Sequence, residues 1–130
     1  MPHTFTALPT HRDSDKPLVS LAYWSVVESV LRDHGHDLQW RDQEPGMAQA
    51  RACGRLTCAH YERLLIKSIA LVGDALGYET GLRGYPSKHG ALGMALMSSP
   101  TLGQAMAIGL RYQLSRMPYY DMTQQVHGSW

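Results

Sequence analysis

Residues 89–116 read HGALGMALMSSPTLGQAMAIGLRYQLSR. The pattern predicts a short helix over Ala91–Met97, a break at Ser98–Thr101 and a longer helix beyond it. Thr101 stands three residues before Gln104, the spacing of a capping box. The threonine hydroxyl can accept from the Gln104 amide, and the glutamine side chain can reach back to the amide of Thr101. The second helix is expected to bury Leu102, Met106, Leu110, Leu114 and Met117, to turn Gln104, Arg111 and Ser115 outward, and to end at Pro118. The first helix is too short to stand alone, so the pair is expected to be mutually buried.

A helix, a short turn and a second helix also define the DNA-reading helix-turn-helix. In that motif the start of the second helix meets base edges and phosphates. Here that start is Leu102, Gly103, Gln104, Ala105 and Met106, of which Gln104 alone suits a base and is needed for the cap. Arg111 and Arg116 come late on the helix. A packed αα-hairpin is therefore the expectation.

Charge argues the same way. The chain has 130 residues, with 12 Lys and Arg against 11 Asp and Glu, a formal net charge of +1. A domain that grips DNA by itself displaces phosphate counterions with a basic excess, and this one has none. A hydrophobic content of 44% with 18% charged residues describes one folded domain. No apolar run approaches the roughly 20 residues of a membrane helix. The N-terminal MPHTFTALPTHRDSDKP lacks a basic-then-apolar signal pattern. The expected location is cytoplasmic, with Cys53 and Cys58 reduced.

Residues 1–16 carry Pro2 and Pro9 and no apolar periodicity, and are expected to form a flexible arm. Residues 17–130 form the domain. Its first helix, in PLVSLAYWSVVESVLRDHGHD, places Val19, Ala22, Tyr23, Val26, Val27 and Val30 on one face, with Pro17 in the first turn and Gly35 as a left-handed end. MAQARAC predicts one or two helical turns. LTCAHYERLLIKSIALVGD predicts a second long helix capped by Thr57, striped by Tyr61, Leu64, Leu65, Ser68, Ile69 and Val72, and ended by Gly73. A helical turn is expected near Ala75–Thr80. YYDMTQQVHGSW alternates like a strand, with no evident partner.

Chemistry-bearing motifs are sparse. His34 and His36 beside Asp33 and Asp37 suit a helix C-terminal dipole better than a metal. Cys53 and Cys58 with His60 have a gap too long for the usual zinc pair. There is no nucleophile elbow and no phosphate loop. No metal or cofactor site is expected. Gly81, Gly84, Gly90 and Gly93 break what would be continuous helix, and Gly93 and Gly103 lie on the two arms of the hairpin, where they would let the helices approach closely. Met94, Met97, Met106 and Met117 cluster with Tyr85 and Tyr112. Such a wall fills cores and also accepts apolar ligands or partners. Arg83, His89 and Arg111 either border that cavity or are solvated.

The run from Leu56 to Met117 resembles the N-terminal effector domain of AraC-type transcriptional regulators, in the subgroup named for an arabinose-binding domain. The residues that carry the resemblance are GLRGY at 81–85, GALGMALMSSPTLGQAM at 90–106 and RYQ at 111–113. It implies a mainly α chain, the helical N-terminal part of an α+β sensor domain, with a short C-terminal strand. It implies a small-molecule effector, a homodimer, and DNA contact only through a C-terminal domain beyond Trp130. Met94 stands where the family commonly has an aromatic, and YPSKH replaces a more apolar connector, so the name does not carry arabinose over. The candidate ligand-binding residues are Arg83, Tyr85, His89, Met94, Met97, Arg111 and Tyr112. The function expected is ligand sensing and dimerisation for a transcription regulator. A free-standing helical interaction module is the alternative, and an enzyme is not expected.

Overall fold

The computed structural model describes residues 3–9, 15–113 and 120–127. In chain order its elements are β1 (His3–Pro9), β2 (Val19–Ser20), α1 (Leu21–Asp33), α2 (Gln39–Asp42), α3 (Met47–Cys53), β3 (Arg55–Leu56), α4 (Cys58–Val72), α5 (Ala75–Arg83), a 3₁₀ turn (Pro86–His89), α6 (Gly90–Met97), α7 (Leu102–Tyr112) and β4 (Tyr120–Val126). The fold is mainly α with a few strands, as the sequence implied.

α1 begins later than Pro17 suggested. Val19 is buried and pairs antiparallel with Leu56, and Ser20 pairs with Arg55, so the chain is extended there and Pro17 precedes it. Ser20 is the cap, its hydroxyl accepting from the Ala22 amide at 3.3 Å. The helix closes at a left-handed Gly35, with φ +78°. The Gly35 amide donates to the carbonyl of Arg32, and that of His36 to the carbonyl of Leu31. That paired reversal satisfies two end carbonyls.

The core gathers between α1, α3, α4 and α5. Trp24, Val30, Leu31, Met47, Leu56 and Leu64 are almost fully buried, and Leu76 closes the cluster from α5. α1 is covered on more than the one face its periodicity gave. Val26, Val27 and Val30 are buried as expected, but so are Trp24 and Leu31, while Ala22 and Tyr23 are half-buried. Trp24 meets Trp40 of α2 edge-on, with ring centroids 6.2 Å apart.

α4 follows its sequence closely. Thr57 caps it by accepting from the His60 amide at 3.0 Å, and Gly73 ends it at φ +83°. Leu64 and Ser68 are buried, and the Ser68 hydroxyl is satisfied by donating to the Leu64 carbonyl at 2.7 Å. Ile69, expected in the buried stripe, is half exposed. The turn expected near Ala75–Thr80 is a full helix, α5, running to Arg83.

α6 and α7 do pack together, with Thr101 capping α7 from the Gln104 amide at 3.2 Å. The expected mutual burial is not found. Leu102 is 75% exposed, Met106 and Leu110 are half-buried, and Gly93 is the one buried residue of the two helices among those described. α6 is apolar almost all round, so no single face was chosen by its sequence. The expectations for Leu114, Ser115, Met117 and Pro118 lie outside the described residues.

The C-terminal strand has a partner after all. β4 pairs antiparallel with β1, from His3 against Val126 to Pro9 against Tyr120. Residues 3–9, which lie within the stretch expected to form a flexible arm, are a strand. Thr4, Phe5 and Thr6 favour extended backbone, and Pro9 stands at the strand end where a missing donor is tolerated. The Gln113 side-chain amide donates to the Met122 carbonyl at 3.2 Å and ties the end of α7 to β4. Among the described residues, no helix is long and apolar enough to cross a membrane.

Candidate functional site

Three helices and the 3₁₀ turn enclose a groove of about 490 Å³. α1 contributes Tyr23, Val26 and Val27, one helical turn of side chains. α4 contributes Tyr61, Leu65 and Ile69 at successive turns. α5 contributes Leu76, Gly77, Thr80 and Gly81, and Gly84, Lys88 and His89 complete the rim. The volume falls within the range of small-molecule sites, and mostly apolar walls with a few placed polar groups are their usual composition.

Two of its polar groups are joined by long-range packing. The Tyr23 hydroxyl and His89 Nδ1 lie 2.8 Å apart, and their rings are tilted with centroids at 5.5 Å. This hydrogen bond joins α1 to the turn that launches α6. Lys88 lines the same groove. The Thr80 hydroxyl turns back on its own helix, within donating distance of the carbonyls of Leu76 (2.7 Å) and Gly77 (3.0 Å).

The candidate residues read from sequence are not brought together. His89 lines the groove. Arg83 lies beside it in an ionic cluster: its guanidinium donates to Ser29 Oγ at 3.0 Å and Asp33 Oδ2 at 2.6 Å, and comes within 3.8 Å of Glu79 Oε2. Glu79 in turn meets His34 Nε2 at 2.8 Å. This cluster fastens α5 to the end of α1, so Arg83 has a structural task. Arg111 and Tyr112 border a separate apolar groove of about 580 Å³ between α6 and α7, with the guanidinium 5.5 Å from the tyrosine ring centroid. Tyr85, Met94 and Met97 are exposed.

Sequence reasoning missed Tyr23, Val26, Val27, Leu65, Leu76 and Lys88 as groove residues. The periodicity of Tyr23, Val26, Val27 and Leu65 was visible, but it marks a covered helix face without saying whether the cover is core or cavity; Leu76 and Lys88 carried no such signal.

His60 is a further buried polar group, beneath a smaller pocket that Arg55 and Arg63 also line. Among the described residues its Nε2 has no hydrogen-bond partner. Burial first, and then the Arg63 charge, hold its pKa below the ordinary histidine value, against a smaller opposing effect of Glu44. Among the described residues no three His, Cys, Asp or Glu side chains gather as metal ligands, and neither Cys53 nor Cys58 is in a disulfide.

Residues 46–130 match the family described as the arabinose-binding domain of AraC transcription regulators, N-terminal. The match takes in more than half of the chain, and the chain belongs to this family, one of regulator ligand-binding domains and not of enzymes. α4, α5, the 3₁₀ turn and both hairpin helices lie within the matched residues; α1 lies before them. The chain is also similar to the ornithine utilization regulator of Pseudomonas aeruginosa, 42% identical over 60 residues. That alignment covers 45% of this chain and 18% of the regulator, so the likeness spans less than a fifth of the regulator's length. No solved structure matches the chain significantly.

Proposed function

We propose that residues 17–130 are the effector-sensing and dimerisation part of an AraC-type transcriptional regulator, and that the groove between α1, α4, α5 and the 3₁₀ turn receives the effector. The observation that carries this reading is the Tyr23–His89 hydrogen bond on the lining of an apolar groove, in a chain of this family. A ligand seated there touches α1 on one side and the start of α6 on the other. It can therefore favour one relative placement of the two, and a ligand shifts an equilibrium only by such a difference in affinity. DNA would be met by a separate C-terminal domain of the full regulator, which accounts for the near-zero net charge here. The expected setting is cytoplasmic, without catalysis and without a metal or cofactor.

The exposed apolar side chains of the hairpin, Met94, Met97 and Leu102, support self-association through α6 and α7. They equally favour the second reading, a helical interaction module that binds a partner protein and no ligand.

A thermal-shift screen of small metabolites separates the two. A true effector raises the melting temperature with concentration, by about 2.7 kcal/mol of stabilisation at one hundred times its Kd. The variant Gly81→Leu should remove the effect. Helical side chains lean toward the N-terminus, so a leucine at 81 would lie over Gly77 in the groove. Its Cβ meets nothing within 4 Å. Hits that ignore this variant would overturn the groove as the sensing site.

A further inference from the structure

We propose that the groove takes an uncharged, largely apolar ligand, recognised by the surface it buries and not by hydrogen bonds; the inference rests on the groove being the effector site. Its walls are Val26 and Val27 of α1, Leu65 and Ile69 of α4 and Leu76 of α5. Ile69 is 50% exposed, so apolar surface there is still open to a guest. On α5 a Cβ at Gly77 or Gly81 would meet nothing within 4 Å, which leaves room beside that helix.

The polar side chains of the described lining are those of Tyr23, Tyr61, Thr80, Lys88 and His89. Each is already engaged within the protein. Tyr23 and His89 bond one another at 2.8 Å. The Thr80 hydroxyl donates to the Leu76 carbonyl at 2.7 Å. Tyr61 and Lys88 have partners of their own. A polar guest would have to displace such a partner, and exchanging one hydrogen bond for another gains little. What its polar atoms lose on leaving water is then not returned. That loss is largest for an ammonium or a carboxylate. A sugar bears it at several hydroxyls, and an amino acid at both charged ends. A chain or ring of carbon bears none of it and gains from burial in proportion to its area. The one hydroxyl of a simple alcohol costs far less than a charge.

The test is titration calorimetry of the whole chain with 1-hexanol, 1-octanol, octanoate, octylamine, arabinose and ornithine. Octanol is expected to bind about 15-fold more tightly than hexanol, since each buried methylene is worth roughly four-fold. Octanoate and octylamine should bind more weakly than octanol, by about 10-fold or more. Arabinose and ornithine should give no heat at the same concentrations. Ile69→Ser, at a half-exposed position, should weaken octanol by about four-fold or more, and Gly81→Leu should abolish its binding. Circular dichroism confirms that each variant is folded. Equal affinity for hexanol and octanol, or octanol failing to bind, overturns the inference. Any of the other four compounds binding more tightly than octanol, and blocked by Gly81→Leu, overturns the apolar class but leaves the groove as the sensing site. Octanol binding that is indifferent to both variants overturns the groove itself.

Discussion

A methyl group on Gly93 would lie 1.7 Å from the carbonyl oxygen of Pro86 and 2.7 Å from its carbonyl carbon. α6 therefore rests directly on the backbone of the 3₁₀ turn, and the absence of a side chain sets the spacing. The close approach expected between the two hairpin helices is made instead between α6 and this turn. Gly103 meets nothing within 4 Å, and it is Gly109 that faces α6, a Cβ there lying 3.5 Å from Leu96.

Gly93→Ala is expected to lower stability by about 3 kcal/mol, the upper range for overpacking, because the neighbour is rigid backbone. Gly103→Ala should be neutral or slightly stabilising. Urea unfolding of both variants makes the comparison. An alanine at 93 that costs less than about 1 kcal/mol would mean that α6 and the turn slide apart freely.

Gly77 is the opposite case. It lies within α5, is exposed, and has open space where a Cβ would go. Alanine there should stabilise by about 0.5–1 kcal/mol, through helix propensity and a less flexible unfolded chain. A rise in the thermal midpoint checks it. A fall would mean that the backbone at 77 depends on glycine.

Helix caps and ends were legible in the sequence because they are local. Thr57, Thr101, Gly35 and Gly73 act on amides and carbonyls within a few residues, and each was placed from spacing alone. Burial in the hairpin was not legible. Leu102 has the helical spacing of a core residue, but periodicity cannot say whether a partner covers it, and among the described residues it is three-quarters exposed. The β1–β4 pairing was hidden for a related reason: the strands stand at opposite ends of the chain, and neither segment announces the other. The groove shares this property, since Tyr23 and His89 are 66 residues apart.

His60 gives the domain a pH dependence of known sign. Its folded pKa lies below the unfolded value of about 6.5 because burial and Arg63 disfavour the imidazolium. As pH falls from about 6.5 toward that lower folded value, the unfolded chain binds the proton more readily, and stability is lost. Above about 6.5 the contribution is fully present. Comparing urea midpoints at neutral pH and near pH 5 for the wild type and His60→Leu isolates the contribution of His60. The wild type should lose more on acidification than the variant. An equal loss would assign the pH dependence elsewhere.

Leu102 provides the sharpest test of self-association. It is the first residue of α7 and is 75% exposed, bordering an apolar recess with Leu96, Met106, Leu110 and Met122. Its described lining residues are apolar. A carboxylate in the first turn of a helix is favoured by the positive end of its dipole, by about 0.3–1 kcal/mol. Leu102→Glu should therefore leave the fold intact or slightly more stable while placing a charge in any interface formed by this face. Sedimentation velocity across a concentration series is expected to show the wild type associating and the variant weakened by at least 10-fold, since a buried unpaired charge costs more than the 1.4 kcal/mol that such a factor requires. A wild type that remains monomeric throughout would overturn self-association through α6 and α7. A variant that associates as well as the wild type would move the contact to another face.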